Sequence, residues 1–116
     1  MANGKSFKRV AAQGELLLTK ISSLPKGLKS VRPEKGKLIV GHSETGHHHV
    51  IDAKDARLFR DPKNMDSLFA EILRPTQLTH MRDFDTHEPL NLDTGDIIQI
   101  RTGQEFDMNA WRKSAD

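Results

Sequence analysis

Short apolar segments alternate with turn-forming residues along most of the chain. Residues 15–21 (ELLLTKI), 37–42 (KLIVGH) and 96–101 (DIIQIR) are each six or seven residues long and are bounded by Gly, Ser or Thr. Segments of this length that are rich in Leu, Ile and Val predict β-strands. Residues 46–51 (GHHHVI) and 77–81 (QLTHM) have similar lengths. The pattern therefore predicts a mainly β protein.

Three four-residue segments contain the Gly, Pro, Asn or Asp residues that are typical of tight turns. The first turn joins residues 37–42 to residues 46–51, which predicts a β-hairpin. The segment 67–73 (SLFAEIL) suits a strand and also a helical period of 3.6, so its structure stays open. About seven short strands with such turns predict a small antiparallel sandwich or barrel. The turn segments are residues 43–46 (SETG), 61–64 (DPKN) and 93–96 (DTGD).

The two ends of the chain differ from its centre in composition. Residues 1–12 are polar and basic without periodicity, which predicts an extended, flexible basic arm. Residues 13–102 are predicted to form a single β-rich domain, because a chain of 116 residues suits one compact core. Residues 103–116 are predicted to form a polar C-terminal tail with a few apolar docking contacts. These contacts are Phe106, Met108 and Trp111.

Charge is unevenly distributed along the sequence. Residues 1–37 contain nine Lys and Arg against two Glu, a net charge of +7, whereas residues 38–116 carry a net charge of −5. Part of the positive charge lies in residues 22–36, a predicted exposed loop with two Pro and two Gly. A basic arm on an acidic body predicts a protein partner with an acidic surface, or a second copy of the chain. Nucleic acid is disfavoured as a partner, because Phe7 is the only aromatic residue in the basic third.

The composition also excludes several classes of site. Without Cys the chain has no disulfide, no thiolate nucleophile and no metal centre built on sulfur. No apolar run approaches the roughly 18 residues of a membrane-spanning helix, and no hydrophobic stretch follows Met1. Neither a membrane segment nor a secretion signal is therefore predicted. The expected location is the cytoplasm, or a virion if the protein is phage-derived.

The six histidines fall into two groups in the sequence. One group flanks the first turn, and the other, His80 and His87, flanks an acidic loop. Alternate residues of a strand share a face, so His47 and His49 are expected to point to the same side. Two imidazoles on one strand supply part of a site for zinc, iron or manganese, and other segments must supply the rest. The prediction is a divalent metal site at His47, His49, His80 and His87.

Other roles for these histidines stay open at this point. They also suit a polar structural or interface cluster, or a proton sensor near the ordinary His pKa of about 6.5. In the enzyme interpretation, Glu44 is the candidate general base. No further catalytic residue is predicted, since the sequence contains no G-x-S-x-G motif and no glycine-rich phosphate loop. A divalent metal is the only candidate cofactor.

The spacing of Gly41, His47 and His49, followed by Asp52, resembles the first sequence motif of the cupin family. This resemblance is confined to residues 41–52. It implies a small β-barrel in which the histidines of one wall hold a metal ion.

A second resemblance covers the segments GELLL, GHSETGHHHVI and LTHMRDFDTHEPLNLDTGDIIQIR. These segments resemble a group of small uncharacterised proteins of bacteria and tailed phages that share a TGHxH segment. The resemblance implies a virion component, such as a capsid decoration protein. The matching positions are Thr45, Gly46, His47, His49, His80, His87 and Gly95.

Two functions from different classes are therefore expected. The first is a non-enzymatic capsid decoration (cement) protein that binds capsid subunits or copies of itself through its arm and tail. A small core and long polar ends favour this function, because folding on binding offsets the conformational entropy of such ends. The second is a small cupin-like metalloprotein or metalloenzyme with a His-lined site.

Overall fold

The computed structural model describes residues 4–41, 48–80 and 88–102 of the chain. In these residues the backbone forms ten β-strands and no helix. The described part of the chain thus has no helix long and apolar enough to cross a membrane. The strands are β1 (Val10–Gln13), β2 (Leu16–Ile21), β3 (Lys29–Ser30), β4 (Lys37–Gly41), β5 (His49–Asp52), β6 (Ala56–Asp61), β7 (Asn64–Ile72), β8 (Thr76–His80), β9 (Leu90–Leu92) and β10 (Ile97–Thr102).

Alternation between the two faces of a strand explains the local structure. Leu38 and Val40 of β4 are buried, whereas Lys37 and Ile39 are half-buried. Ile98 and Ile100 of β10 follow the same pattern. Because side chains two residues apart share a face, both of these strands turn one apolar side toward the core. The predicted mainly β fold is confirmed.

Two of the predicted turns are confirmed. Residues 61–64 connect β6 to β7, which pair with each other. Between β9 and β10, Gly95 has a φ of 89°, a conformation that residues with a side chain rarely adopt. The backbone amide of Asp93 donates to the carboxylate of Asp96 at 2.9 Å and closes this turn. The predicted turn at residues 43–46 lies outside the described residues.

The strands form two open sheets. A six-stranded sheet has the order β1-β2-β10-β7-β6-β3, and a four-stranded sheet has the order β4-β5-β8-β9. Neighbouring strands are antiparallel in both sheets. The sheets pack as a sandwich and do not close into a barrel, which decides between the two architectures that the sequence left open.

The apolar core lies between the two sheets. Each fully buried Leu, Ile or Val side chain there contributes about 1.5–3 kcal/mol through the removal of apolar surface from water. The larger core residues are Leu16, Leu18, Leu58, Ile72, Ile98 and Ile100 from the six-stranded sheet, and Leu38, Val40, Ile51, Leu78, Leu90 and Leu92 from the four-stranded sheet.

The N-terminal segment is part of the folded structure from residue 4 onward. The amide of Lys5 donates to the carbonyl of Pro89 at 2.7 Å, and the amide of Asn91 donates to the carbonyl of Lys5 at 2.9 Å. Lys5 and Leu90 thus form a parallel bridge at the edge of β9. Phe7 packs against the core, and Val10 begins β1. The described part of residues 1–12 therefore differs from a free arm, because its backbone completes the hydrogen bonding of two strands.

Three segments form strands that the sequence pattern did not clearly predict. Residues 67–73, for which strand and helix were both open, lie mostly in β7, because β6 and β10 pair with both of its edges. The short β3 forms within the predicted loop 22–36. The strand β9 was not predicted at all. The predicted tail, residues 103–116, lies outside the described residues.

Candidate functional site

The fold brings two of the predicted site histidines into contact. Strand β5 pairs with β8, and His49 is directly opposite His80. Both side chains are buried on the core face, with exposed fractions of 0% and 8%. Their rings are parallel, with centroids 4.1 Å apart. The metal hypothesis required the GHHHVI strand to lie beside the QLTHM strand, and this arrangement is confirmed.

A glutamine from the opposite sheet completes the polar cluster. Gln13 of β1 is 2% exposed, and its side-chain amide group donates to the carbonyls of Leu78 at 3.1 Å and Glu88 at 3.0 Å. The amide oxygen of Gln13 lies 2.8 Å from Nδ1 of His49. Because the two carbonyls fix the orientation of the amide, its oxygen is the acceptor toward His49. The bound proton of the neutral His49 ring is thereby assigned to Nδ1.

The other nitrogen of the same ring points toward a carboxylate. Nε2 of His49 lies 3.5 Å from Oε1 of Glu15, whose side chain is 36% exposed. A proton added to Nε2 would form an ion pair with Glu15, since Nδ1 already carries a hydrogen. The cluster therefore contains a buried nitrogen that faces a partly solvated carboxylate.

The position of the His49 ring depends on a glycine in the neighbouring strand. Gly41 of β4 is the cross-strand partner of His49. A Cβ atom at Gly41 would lie 3.1 Å from the ring carbon Cδ2 of His49 and 3.0 Å from a methyl group of Leu16. These distances are shorter than ordinary van der Waals contacts, so the missing side chain makes room for the ring. The glycine of the cupin-like motif thus has a packing role here.

The stacked geometry limits how the pair can hold a metal ion. An imidazole binds a metal through a lone pair that lies in the plane of the ring. The planes of His49 and His80 are parallel, so no single point lies in both of them. Binding of one shared ion therefore requires one ring to rotate.

The remaining predicted ligands are not part of the described structure. His47, His87 and Glu44 lie outside the described residues. Among the side chains that the structure does describe, no three of His, Asp and Glu are grouped closely enough to hold a metal. The four-histidine site therefore stays a prediction.

The acidic residue of the cupin-like spacing lies on the other face of the sheet. Asp52 is opposite Lys37, and the two side chains form an ion pair at 2.8 Å. This hydrogen bond from the ammonium group of Lys37 lowers the pKa of Asp52 below its ordinary value. Because His49 and Asp52 are three residues apart on one strand, Asp52 points away from the histidine pair.

A second candidate site is a basic edge at the far side of the six-stranded sheet. Strands β3 and β6 pair so that Lys29 is directly opposite Arg60. Like charges in this relation repel each other. Within the described residues, no member of the basic edge forms an ion pair. The basic edge consists of Lys26, Lys29, Arg32, Lys35 and Arg60, all of which are exposed.

The sequence did not reveal Gln13 as part of the histidine cluster. It lies outside every motif, and its partners are 36 to 75 residues away along the chain. The only local signal is a polar residue at an alternate position of a short apolar strand.

Comparison with known families finds a family model that matches most of the chain. The model of a family described as Domain of unknown function (DUF8820) matches residues 12–102. The chain belongs to the DUF8820 family. The DUF8820 match begins in β1 and ends at the last residue of β10, so it includes both sheets, the histidine cluster and the basic edge. No curated protein and no solved structure matches the chain.

Proposed function

We propose that this DUF8820 protein is a non-enzymatic structural protein that binds an acidic surface of a neighbouring protein through its basic edge. Its specific role in this proposal is that of a capsid decoration (cement) protein of a tailed phage. The observation that carries the proposal is the exposed pair Lys29 and Arg60, two cations held opposite each other that form no ion pair with a described residue.

The energetics of this pair favour an anionic partner. Two like charges on directly opposed strand positions destabilise an isolated sheet by a few tenths of a kcal/mol or more. A carboxylate-rich surface that approaches both side chains replaces this repulsion with attraction. Charges of one sign on one side of a domain also steer association with a surface of the opposite sign.

The histidine cluster has a structural role in this function. Gln13 belongs to the six-stranded sheet, whereas His49 and the carbonyl of Leu78 belong to the four-stranded sheet. The side chain of Gln13 therefore joins the two layers by hydrogen bonds inside the core. A buried polar network with fixed partners specifies how the layers align, which suits a rigid module that must fit a partner surface.

Sedimentation with assembled particles tests the proposal. The probe is a capsid made from a phage or prophage genome that carries this gene, with the gene itself deleted. Purified protein is expected to sediment with these capsids in a fixed stoichiometry. A variant with both Lys29→Glu and Arg60→Glu is expected to bind about tenfold more weakly or worse, which corresponds to a loss of about 1.4 kcal/mol.

The matched control is Arg74→Glu, a single charge reversal at an exposed position in the turn between β7 and β8. This variant is expected to bind capsids as the unchanged protein does. Equal binding by the basic-edge variant and the unchanged protein would contradict the proposal. Tighter binding to duplex DNA than to poly-L-glutamate at the same salt concentration would contradict an acidic protein as the partner.

A second candidate function is a metalloprotein of the cupin-like kind. It is favoured by the contact between His49 and His80, which brings the two predicted histidine groups together. In this proposal His47 and His87 complete the site, one ring rotates to share the ion, and Glu44 is the general base of an enzyme. Metal analysis of tag-free protein after dialysis against a chelator tests this function. One tightly held zinc, iron or manganese per chain would support it, and a metal-free protein with unchanged stability would contradict it.

A further inference from the structure

A small apolar pocket lies beside the basic edge. Leu58 of β6 and Leu38 of β4 both line it, so each sheet contributes a wall. A third wall is the loop of residues 31–36 between β3 and β4, which contributes Val31 and Pro33. Ala53, in the turn between β5 and β6, also lines the pocket. The volume of the pocket is about 180 Å³.

The size of the pocket limits what can enter it. Pockets for drug-sized ligands usually have volumes of about 300–1,000 Å³. An apolar cavity of about 150 Å³ binds one benzene molecule. The volume here therefore suits a single apolar side chain, up to the size of phenylalanine, and is too small to enclose a drug-sized ligand.

Hydrogen bonds hold the loop that forms the third wall. The amide of Val31 donates to the carbonyl of Leu58 at 2.8 Å, which joins the start of the loop to β6. The amide of Ala53 donates to the carbonyl of Gly36 at 2.9 Å, which joins the end of the loop to the turn after β5. The pocket is thus formed before a partner binds, so binding requires little additional ordering of the loop.

The two opposed cations of the basic edge lie at this pocket. Arg60 is two residues from Leu58 on β6, so the two side chains share a face of the sheet. Lys29 is the cross-strand partner of Arg60 and lies on the same face. Two residues along a strand span about 6–7 Å, so both cations are close to the wall formed by Leu58. A side chain that fills the pocket therefore brings its neighbours within reach of two positive charges.

The other charges around the pocket leave it positive. Arg32 lies between two lining residues in the sequence and is exposed, and Glu34 is an exposed acid in the same loop. Arg57 lines the pocket, and its guanidinium is 3.9 Å from the carboxylate of Glu71. These two pairs of opposite charge cancel, which leaves the charges of the two opposed cations. The pocket thus combines an apolar interior with a cationic rim.

We propose that this pocket binds one apolar side chain from an acidic segment of the partner protein. The side chain, a phenylalanine or one of similar size, fills the pocket, and the carboxylates beside it pair with Lys29 and Arg60. This inference rests on the proposed function, because it takes the partner to be a protein with an acidic surface. It adds the chemistry of the contact, which is an aromatic or large aliphatic residue flanked by Asp or Glu.

Peptide binding to the unchanged protein tests the inference. The probes are three pentapeptides with blocked ends: Glu-Glu-Phe-Glu-Glu, Glu-Glu-Ser-Glu-Glu and Gln-Gln-Phe-Gln-Gln. An NMR titration of isotope-labelled protein measures each affinity and identifies the amides that shift. The acidic phenylalanine peptide is expected to bind at least tenfold more tightly than either of the others, because only this peptide both buries a ring and neutralises the rim. The largest shifts are expected at Val31, Ala53 and Leu58.

A variant that fills the pocket from inside provides a second test. Ala53→Leu is expected to remove the preference for phenylalanine, so that the two acidic peptides bind equally. Ala12→Leu is the matched control, since Ala12 is also half-buried but lies on β1, at the opposite edge of the six-stranded sheet. The control is expected to keep the tenfold preference. The comparison of peptides on the unchanged protein stays decisive if Ala53→Leu fails to fold.

Three results would overturn the inference. The first is equal binding, or no detectable binding, of the two acidic peptides by the unchanged protein. The second is equal binding of the acidic and neutral phenylalanine peptides. The third is a dimer in sedimentation that Ala53→Leu dissociates, which would make a second copy of the chain the occupant.

The peptide results and the capsid results can fail separately. A preference for the acidic phenylalanine peptide without binding to capsids would contradict the capsid role and support the pocket inference. Capsid binding that depends on Lys29 and Arg60, without a preference for phenylalanine, would contradict the pocket inference alone.

Discussion

Replacement of Gln13 by Leu separates the contribution of the buried hydrogen bonds from that of packing. Leucine has nearly the volume of glutamine, so the substitution removes the amide and leaves little empty space. It deprives three groups of a partner: the carbonyl of Leu78 and Nδ1 of His49, whose hydrogen bonds are buried, and the carbonyl of Glu88, whose hydrogen bond is partly buried. Each lost hydrogen bond costs about 1 kcal/mol, and a group left without any partner costs more, so the free energy of unfolding is expected to fall by about 2–4 kcal/mol.

Urea unfolding followed by circular dichroism measures this loss as a change in the free energy of unfolding. For a domain of this size, a loss of 2–4 kcal/mol corresponds to a decrease in melting temperature of roughly 10–20 °C. Gln99→Leu is the matched control, since Gln99 is half-buried on the same sheet and forms no side-chain hydrogen bond with the described residues. The control is expected to change stability by less than about 0.5 kcal/mol. A loss below that value for Gln13→Leu would refute the role of Gln13 in joining the two sheets.

Three further outcomes are expected. Gly41→Ala should destabilise the protein by about 1–3 kcal/mol in urea unfolding, because the new methyl group overpacks the His49 ring; an unchanged midpoint would contradict the tight contact. His49→Ala should lower the free energy of unfolding by at least about 2 kcal/mol more than His48→Ala, because His49 is fully buried and His48 only partly. Each buried polar group left without a partner costs about 1–3 kcal/mol. Equal melting temperatures of the two variants would disprove this difference. The ion pair of Lys37 and Asp52 should stabilise the fold above the ordinary Asp pKa of 3.8, and this stabilisation is lost as the pH falls through the lowered pKa of the folded state. Asp52→Asn should therefore reduce the free energy of unfolding more at pH 6 than at pH 2. An equal loss at both pH values would contradict the assignment.

The sequence predicted the strands well because their signal is local. Leu38, Ile39 and Val40 form a short apolar run between two glycines, and such a run alone indicates a strand, although it does not indicate which side of the strand is buried. The contact between His49 and His80 could also be predicted from the sequence, because the two histidines lie on predicted strands and the contact requires only that these strands are neighbours in one sheet.

Other features depend on contacts that no local pattern records. The N-terminal segment pairs with β9 through the backbone of Lys5, and every residue type except Pro has these backbone groups, so no side-chain pattern indicates the pairing. The strand β7 is extended because β6 and β10 hydrogen-bond to its two edges, although its apolar spacing suits a helix equally well. Gln13 contacts residues that are distant in sequence, so its role follows only from the packing of the two sheets.

The position of β10 within the six-stranded sheet has a consequence for how the protein folds. This strand, the last one described, lies between β2 and β7 and pairs with both. Until residues 97–102 have left the ribosome, β2 and β7 each present an unpaired edge, and the two halves of the sheet have no connection through hydrogen bonds. Completion of the sheet thus waits for one late insertion between distant partners, which is slow because of the chain entropy lost in closing the long loops. During synthesis the exposed edges are sites where two nascent chains can pair with each other, so aggregation competes with folding until that strand arrives.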